Sequence, residues 1–181
     1  MDKAQGALLT MLSSQEIKTV QKTFGGTDMP PELAIRSLFD SLFELDPSLR
    51  FMFPEDLSDL VRRFSFMLGF LVHRLDDWDS IVPRLTNLGI RHHSYGVRIK
   101  HYETMGRALM NTLEKCMGIA QDSTEMSAWQ ALYKEVSNVM ISASGGAVVQ
   151  ATESERGLQV GKQSNRAESA RSGFLHRGRT I

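Results

Sequence analysis

Cysteine is almost missing from this chain: Cys116 is the single one in 181 residues. No intrachain disulfide can form, and a reducing cytoplasmic setting suits the protein. A lone thiol on an apolar helical stripe reads as a small core residue. Proline is scarce as well. Five occur, four of them (Pro30, Pro31, Pro47 and Pro54) before Arg63, with Pro83 alone after it, so most of the chain is free to be helical. There is no surplus of charge, with 21 Lys and Arg against 21 Asp and Glu, which argues against nucleic acid or an acidic surface as partner. No apolar run nears the roughly 18 residues of a membrane span. Met1 to Leu12 lacks the basic start and the cleavage site of a secretory signal. What is present is enough chain for one domain with a sizeable core. Its 41% hydrophobic and 23% charged residues are ordinary for a globular protein.

The hydrophobic pattern predicts an all-α chain of seven or eight helices. Ser13-Ser14-Gln15-Glu16 reads as a capping box that opens a helix ending near Phe24, with Gly25-Gly26-Thr27 stopping it. Pro30-Pro31 opens a second helix to about Leu45, and Asp46-Pro47 stops it and begins a short turn leading to Phe53-Pro54. From about Asp56, Leu57, Leu60, Val61, Phe64, Leu68, Leu71, Val72 and Leu75 recur at helical spacing. A further helix runs roughly from Asp79 to His93, and Gly96 breaks the chain. Two longer helices follow, one marked by Tyr102, Met105, Leu109, Leu113 and Cys116, the other by Trp129, Leu132, Val136 and Met140.

After Ser144-Gly145-Gly146 the composition changes. Ala151 to Ile181 holds six Arg and Lys against three acids and few large apolar residues, too little to offset the entropy of ordering. The reading is an N-terminal extension over 1–12, a folded domain over 13–146 and a disordered basic tail over 147–181.

Several landmarks stand in a definite order. Pro47 precedes Phe53 by six residues. Leu88-Gly89-Ile90-Arg91-His92-His93-Ser94-Tyr95-Gly96-Val97 is followed by His101-Tyr102, Met105-Gly106, Ala128-Trp129 and Tyr133. In order and spacing this resembles the globin family, with the nearest likeness to bacterial single-domain globins and the haem domain of flavohaemoglobins. The likeness covers about Ser13 to Ser144. It implies a globin-like 3-over-3 helical bundle and haem b as cofactor, held between two helices with a neutral imidazole on the iron.

The resemblance makes His92 the proximal ligand. The spacing agrees, because Leu85, Leu88 and His92 share one helical face. A histidine on an apolar stripe is ordinarily a buried, hydrogen-bonded one; Gly96 and Val97 at the family interval favour the ligand. His93, about 100° round the helix, reads as a partly exposed histidine, as do His73 and His101. The resemblance also implies that Phe53 stacks on haem and that Val97 and Met105 touch its edge, with no methionine on the iron. Tyr102 is either a tyrosine whose hydroxyl approaches the proximal imidazole or a plain aromatic core residue. A glutamate completing a proximal set in flavohaemoglobins would fall near Ser144 here, which weakens any peroxidase-like reading.

On the distal side this chain departs from the family. A distal Gln or His thirty-two residues before His92 would be position 60, which is Leu60, and the oxygen-bonding tyrosine of the second helix would be Phe39. Under the spacing of vertebrate oxygen-storage globins, 92 − 29 = 63, it would be Arg63. Leu60 fits the apolar stripe and Arg63 does not, so Leu60 is expected to face the iron in a distal pocket of Phe39, Leu60, Phe64 and Arg63, with Arg62 and Arg63 towards the haem edge, one paired with a propionate or simply solvated. The implied function is reversible binding of O2, NO or CO. NO dioxygenation would draw electrons from a separate reductase, since no flavin or nicotinamide region follows. The rival readings are a gas or redox sensor acting through a protein partner and a globin-like module without haem.

Overall fold

The computed structural model describes residues 12–145. The expected tail, and all of the N-terminal extension except Leu12, lie outside the described residues. The described residues contain helices and turns and no strand. The helices are α1 (Ser14–Gly25), α2 (Pro31–Leu45), α3 (Ser58–His73), α4 (Trp78–Ser94), α5 (Ile99–Met117) and α6 (124–145). Short 3-10 segments, Pro47–Met52 and Leu75–Asp77, join α2 to α3 and α3 to α4. The packing described below lies within the unit Met1–Ala143.

Local chemistry sets the ends of these elements. The Ser13 hydroxyl accepts from the Glu16 N–H at 3.2 Å, and the Glu16 carboxylate accepts from the Ser13 N–H at 2.7 Å. This capping box satisfies two of the four donors a helix start leaves open. Pro31 opens α2 at its first position, where no N–H is missed. Asp46 turns the chain into the 3-10 segment by accepting from the Ser48 N–H at 3.1 Å and from its hydroxyl. Gly118 closes α5 in the left-handed conformation at φ 64°. Pro83 sits inside α4, just past its first turn, so only a carbonyl near the exposed start of the helix loses its partner.

Two apolar clusters hold the helices together. The first gathers Val20, Val72, Leu75, Ile81, Leu85, Leu113, Met126, Trp129 and Leu132. Trp129 is fully buried, tilted against Phe24 with ring centres 6.4 Å apart, and its indole N–H donates to the Thr23 hydroxyl at 2.9 Å. That bond lets the largest side chain of the core be buried without an orphan donor. The second cluster joins α2, which packs chiefly on α5 and α3, through Ile35, Leu38, Phe39, Leu42, Val61 and Ala108. Leu68 and Leu109 border both clusters. They also line an apolar cavity of about 130 Å³ with Phe24, Ile35, Leu38 and Trp129. Its hydroxyls on Ser65 and Thr112 donate to the carbonyls of Val61 and Ala108 at 2.9 Å each, and the Thr27 hydroxyl accepts from the Met29 N–H at 3.2 Å.

Two crossings depend on glycine because a side chain has no room. A Cβ on Gly89 would run into the backbone of Met140, so α4 and α6 meet at close range there. A Cβ on Gly106 would lie 2.7 Å from the Tyr133 ring.

Candidate functional site

The end of α4 places the key imidazole. Tyr95 caps the helix and Gly96 takes φ 82°, a conformation open to glycine at little cost. The Gly96 N–H then donates to the His93 carbonyl at 2.9 Å and the Val97 N–H to the His92 carbonyl at 3.0 Å. This is the paired closure of a Schellman turn, and it folds Val97 back beside the turn that carries His92. The four-residue interval from His92 to Gly96 thus has a mechanical reason.

His92 is half-buried, and its Nδ1 lies 2.9 Å from the Leu88 carbonyl oxygen. A carbonyl can only accept, so Nδ1 carries the proton and Nε2 keeps its lone pair. Desolvation is the larger influence on this ring and holds its pKa below the usual histidine range, partly opposed by the Leu88 bond. A neutral imidazole with one nitrogen fixed and the other free is the form that ligates a metal. Among the described residues no three His, Cys, Asp or Glu side chains come together as a metal cluster. One imidazole fits a metal whose remaining ligands arrive with it, as in a porphyrin.

Part-covered apolar side chains stand on the elements next to His92 in the chain and on α3. Leu88, Val97, Tyr102 and Met105 are half-buried, on α4, on α5 and in the turn between them. Phe53, Leu57, Leu60 and Phe64 are half-buried on α3 and its approach, and all four pack against the second cluster. Apolar side chains left part-covered in this way are a surface that a planar hydrophobic group would cover. The donor set and the apolar lining both fit haem.

Aromatic packing joins Phe39, Phe43, Phe53 and Phe64. Phe39 is 1% exposed, and the Phe53 and Phe64 rings meet it edge-on at 5.5 and 6.0 Å. Phe43 meets Phe53 at 5.3 Å. Leu60 sits against this group, whereas Arg62 and Arg63 stand in solvent and pair with Asp59 at 2.7 and 3.3 Å. Arg63, with a side chain 74% exposed, is not on the apolar stripe. The ring of Tyr102 lies 6.4 Å from that of His92, tilted by 31°, and no hydrogen bond joins the two side chains. Burial holds the Tyr102 phenol above its ordinary pKa. Its backbone carbonyl accepts from the Tyr133 hydroxyl at 2.6 Å, and burial also raises the Tyr133 phenol strongly, so it stays a donor. His93 and His73 are exposed and His101 is half-buried. The His73 Nδ1 bonds the Gly69 carbonyl at 2.9 Å. His101 Nδ1 accepts from the Arg98 N–H at 3.2 Å at the start of α5.

Sequence reasoning missed Arg50, whose guanidinium reaches three carbonyls beside Phe53, and Thr23, the partner of Trp129. Neither residue type carries a pattern that would announce such a role.

These features define an all-helical protein with a neutral, half-buried imidazole near the end of α4. The family model described as globin matches residues 36–140. Neuroglobin of Danio rerio is 31% identical over 117 residues, which cover 57% of this chain and 74% of that protein. Neuroglobin of Dissostichus mawsoni is 31% identical over 114 residues, covering 55% and 71%. A bacterial globin from Campylobacter jejuni superimposes with a TM-score of 0.66 at 14% identity, over 75% of this chain and 99% of that one. The chain belongs to the globin family.

Proposed function

We propose that this protein binds haem b through His92 and takes up a diatomic gas reversibly. The observation that carries this reading is the state of His92: half-buried, its ring 6.4 Å from that of Tyr102, with Nδ1 committed to the Leu88 carbonyl and Nε2 without a partner among the described residues. Haem, when bound, supplies the iron at which a gas is held. The protein's own part is to orient one imidazole, exclude water and grip an apolar disc.

Leu88, Val97, Tyr102 and Met105 would grip the disc on the His92 side, and Phe53, Leu60 and Phe64 on the other. Phe39 backs the far wall from within the core. The far wall offers no hydrogen-bond donor of the family's usual kind, since Leu60 and Phe39 occupy those places. That composition favours NO or redox chemistry over oxygen storage, with electrons drawn from a separate reductase. The single half-buried cysteine, Cys116, and the lack of a membrane-crossing helix among the described residues suit a cytoplasmic site of action.

The test is an absorbance spectrum of the purified protein reconstituted with haem, with carbon monoxide added to the reduced form. A sharp Soret band that shifts with carbon monoxide is expected. His92→Ala should lose most of the haem or the normal Soret band, and His93→Ala should lose little. A damaging His93→Ala with a harmless His92→Ala would overturn the assignment.

A further inference from the structure

Phe53 is held from both sides of its peptide by one residue. Its N–H donates to the Arg50 carbonyl at 3.2 Å. Its carbonyl accepts from Arg50 Nη1 at 3.2 Å, and the same guanidinium reaches the Pro54 and Glu55 carbonyls at 2.8 Å each. The chain from Phe53 to Glu55 lies between the 3-10 segment and α3, where no helix supplies partners for those carbonyls. The cation also sits 5.4 Å from the centre of the Phe43 ring, whose edge-on neighbour is Phe53 itself. Arg50 folds back along the extended Phe53–Glu55 backbone, while Phe51 turns out and is 94% exposed. Burial in the core orients Phe39 and Leu49, but Phe53 is only half-buried and its backbone is irregular. The Phe39 and Phe43 rings meet its ring, and Arg50 holds its backbone.

We propose that Arg50 is the positioning residue for Phe53, and that through Phe53 it sets how long haem stays in the protein. This rests on the haem-binding reading above. A guanidinium is needed because its planar fork offers several fixed donors and a flat face for the Phe43 ring. An ammonium keeps the charge but can neither span three carbonyls nor lie flat on an aromatic. Lysine therefore does not replace it.

The experiment measures haem release from the reconstituted full chain to excess apomyoglobin, for wild type, Arg50→Lys, Arg50→Gln and the remote control Arg36→Gln. Arg36 makes an exposed 3.4 Å contact to Ser58 and lies near the Asp56 carboxylate. Both Arg50 variants should release haem roughly tenfold faster, the order expected for losing one charge-assisted contact set, while the control stays at the wild-type rate. Soret-region circular dichroism should weaken in both, since it reads aromatic rings against haem. Melting of the haem-free protein should hardly move. In a Phe53→Leu background, Arg50→Gln should add little further release, because the ring it positions is gone. Wild-type release rates in both variants, a wild-type Arg50→Lys, or full additivity with Phe53→Leu would each overturn the proposal. So would an equal loss of stability in the haem-free protein, which would make Arg50 a general fold residue. If wild type takes up no haem at all, it is the function reading that falls.

Discussion

The Val97 N–H donates to the His92 carbonyl at 3.0 Å across Gly96, which makes the proposed haem ligand and its proposed neighbour parts of one turn. At φ 82° any other residue is strained. Gly96→Ala should cost about 1 kcal/mol and should displace Val97 from beside His92. Thermal melting would register the first effect as a drop of a few degrees. Faster haem loss would register the second. An unchanged melting temperature would show that the turn relaxes without cost.

A second glycine tests the helix crossing. Gly89→Ala drives a methyl group into the Met140 backbone, which cannot swing aside as a side chain could. The expected loss is at the upper end of overpacking, about 2–3 kcal/mol. Gly69→Ala, in the middle of α3 and 3.9 Å from the tip of the Phe24 ring, meets ordinary contact. It should be neutral or stabilising by up to about 1 kcal/mol through helix propensity. Denaturation midpoints of the two variants should move in opposite senses or differ by more than the glycine-to-alanine propensity alone.

Acid should weaken the haem-free protein in a window set by histidine. Both His92 and His101 are held below their ordinary value of 6.5, in each case chiefly by burial. The unfolded chain therefore takes up protons more readily than the folded one. The stability this represents is fully present above about pH 6.5 and is lost as pH falls towards the depressed folded values. The lowered carboxyls of Glu16, Asp46 and Asp56 act only at more acid pH. Melting temperature should fall between pH 7.5 and pH 5, and His92→Gln should flatten part of that slope. A flat wild-type profile would contradict it.

Gas selectivity should follow the apolar far wall. Oxygen gains most from a hydrogen-bond donor and carbon monoxide gains little. A charge-assisted bond contributes roughly 1.5–3 kcal/mol, or about ten- to a hundredfold in rate. With Leu60 and Phe39 in place of donors, oxygen release should be fast relative to carbon monoxide release. Leu60→Gln should slow oxygen release by about that factor and leave carbon monoxide nearly unchanged. Slow release in wild type would point to an unassigned donor, and Arg63→Ala, which frees Asp59 from one partner, is the first variant to try.

Sequence by itself determined the features that act within four or five residues. The Ser13–Glu16 capping box, the Pro31 start of α2, the Gly96 turn after His92 and the apolar faces of α3 and α5 are all written in local spacing, and each stands where that spacing puts it. The tertiary structure decided who meets whom. Thr23 receives the Trp129 indole from 106 residues away, and Tyr133 bonds the Tyr102 carbonyl across 31. Gly89 had to be glycine because of Met140, and Arg50 folds onto three carbonyls of the following segment. Periodicity reports which side of a helix is apolar, because burial is repaid per side chain along one strip of surface. It carries no record of the angle at which the next helix arrives, and that angle chooses the partner for every buried donor and every close approach.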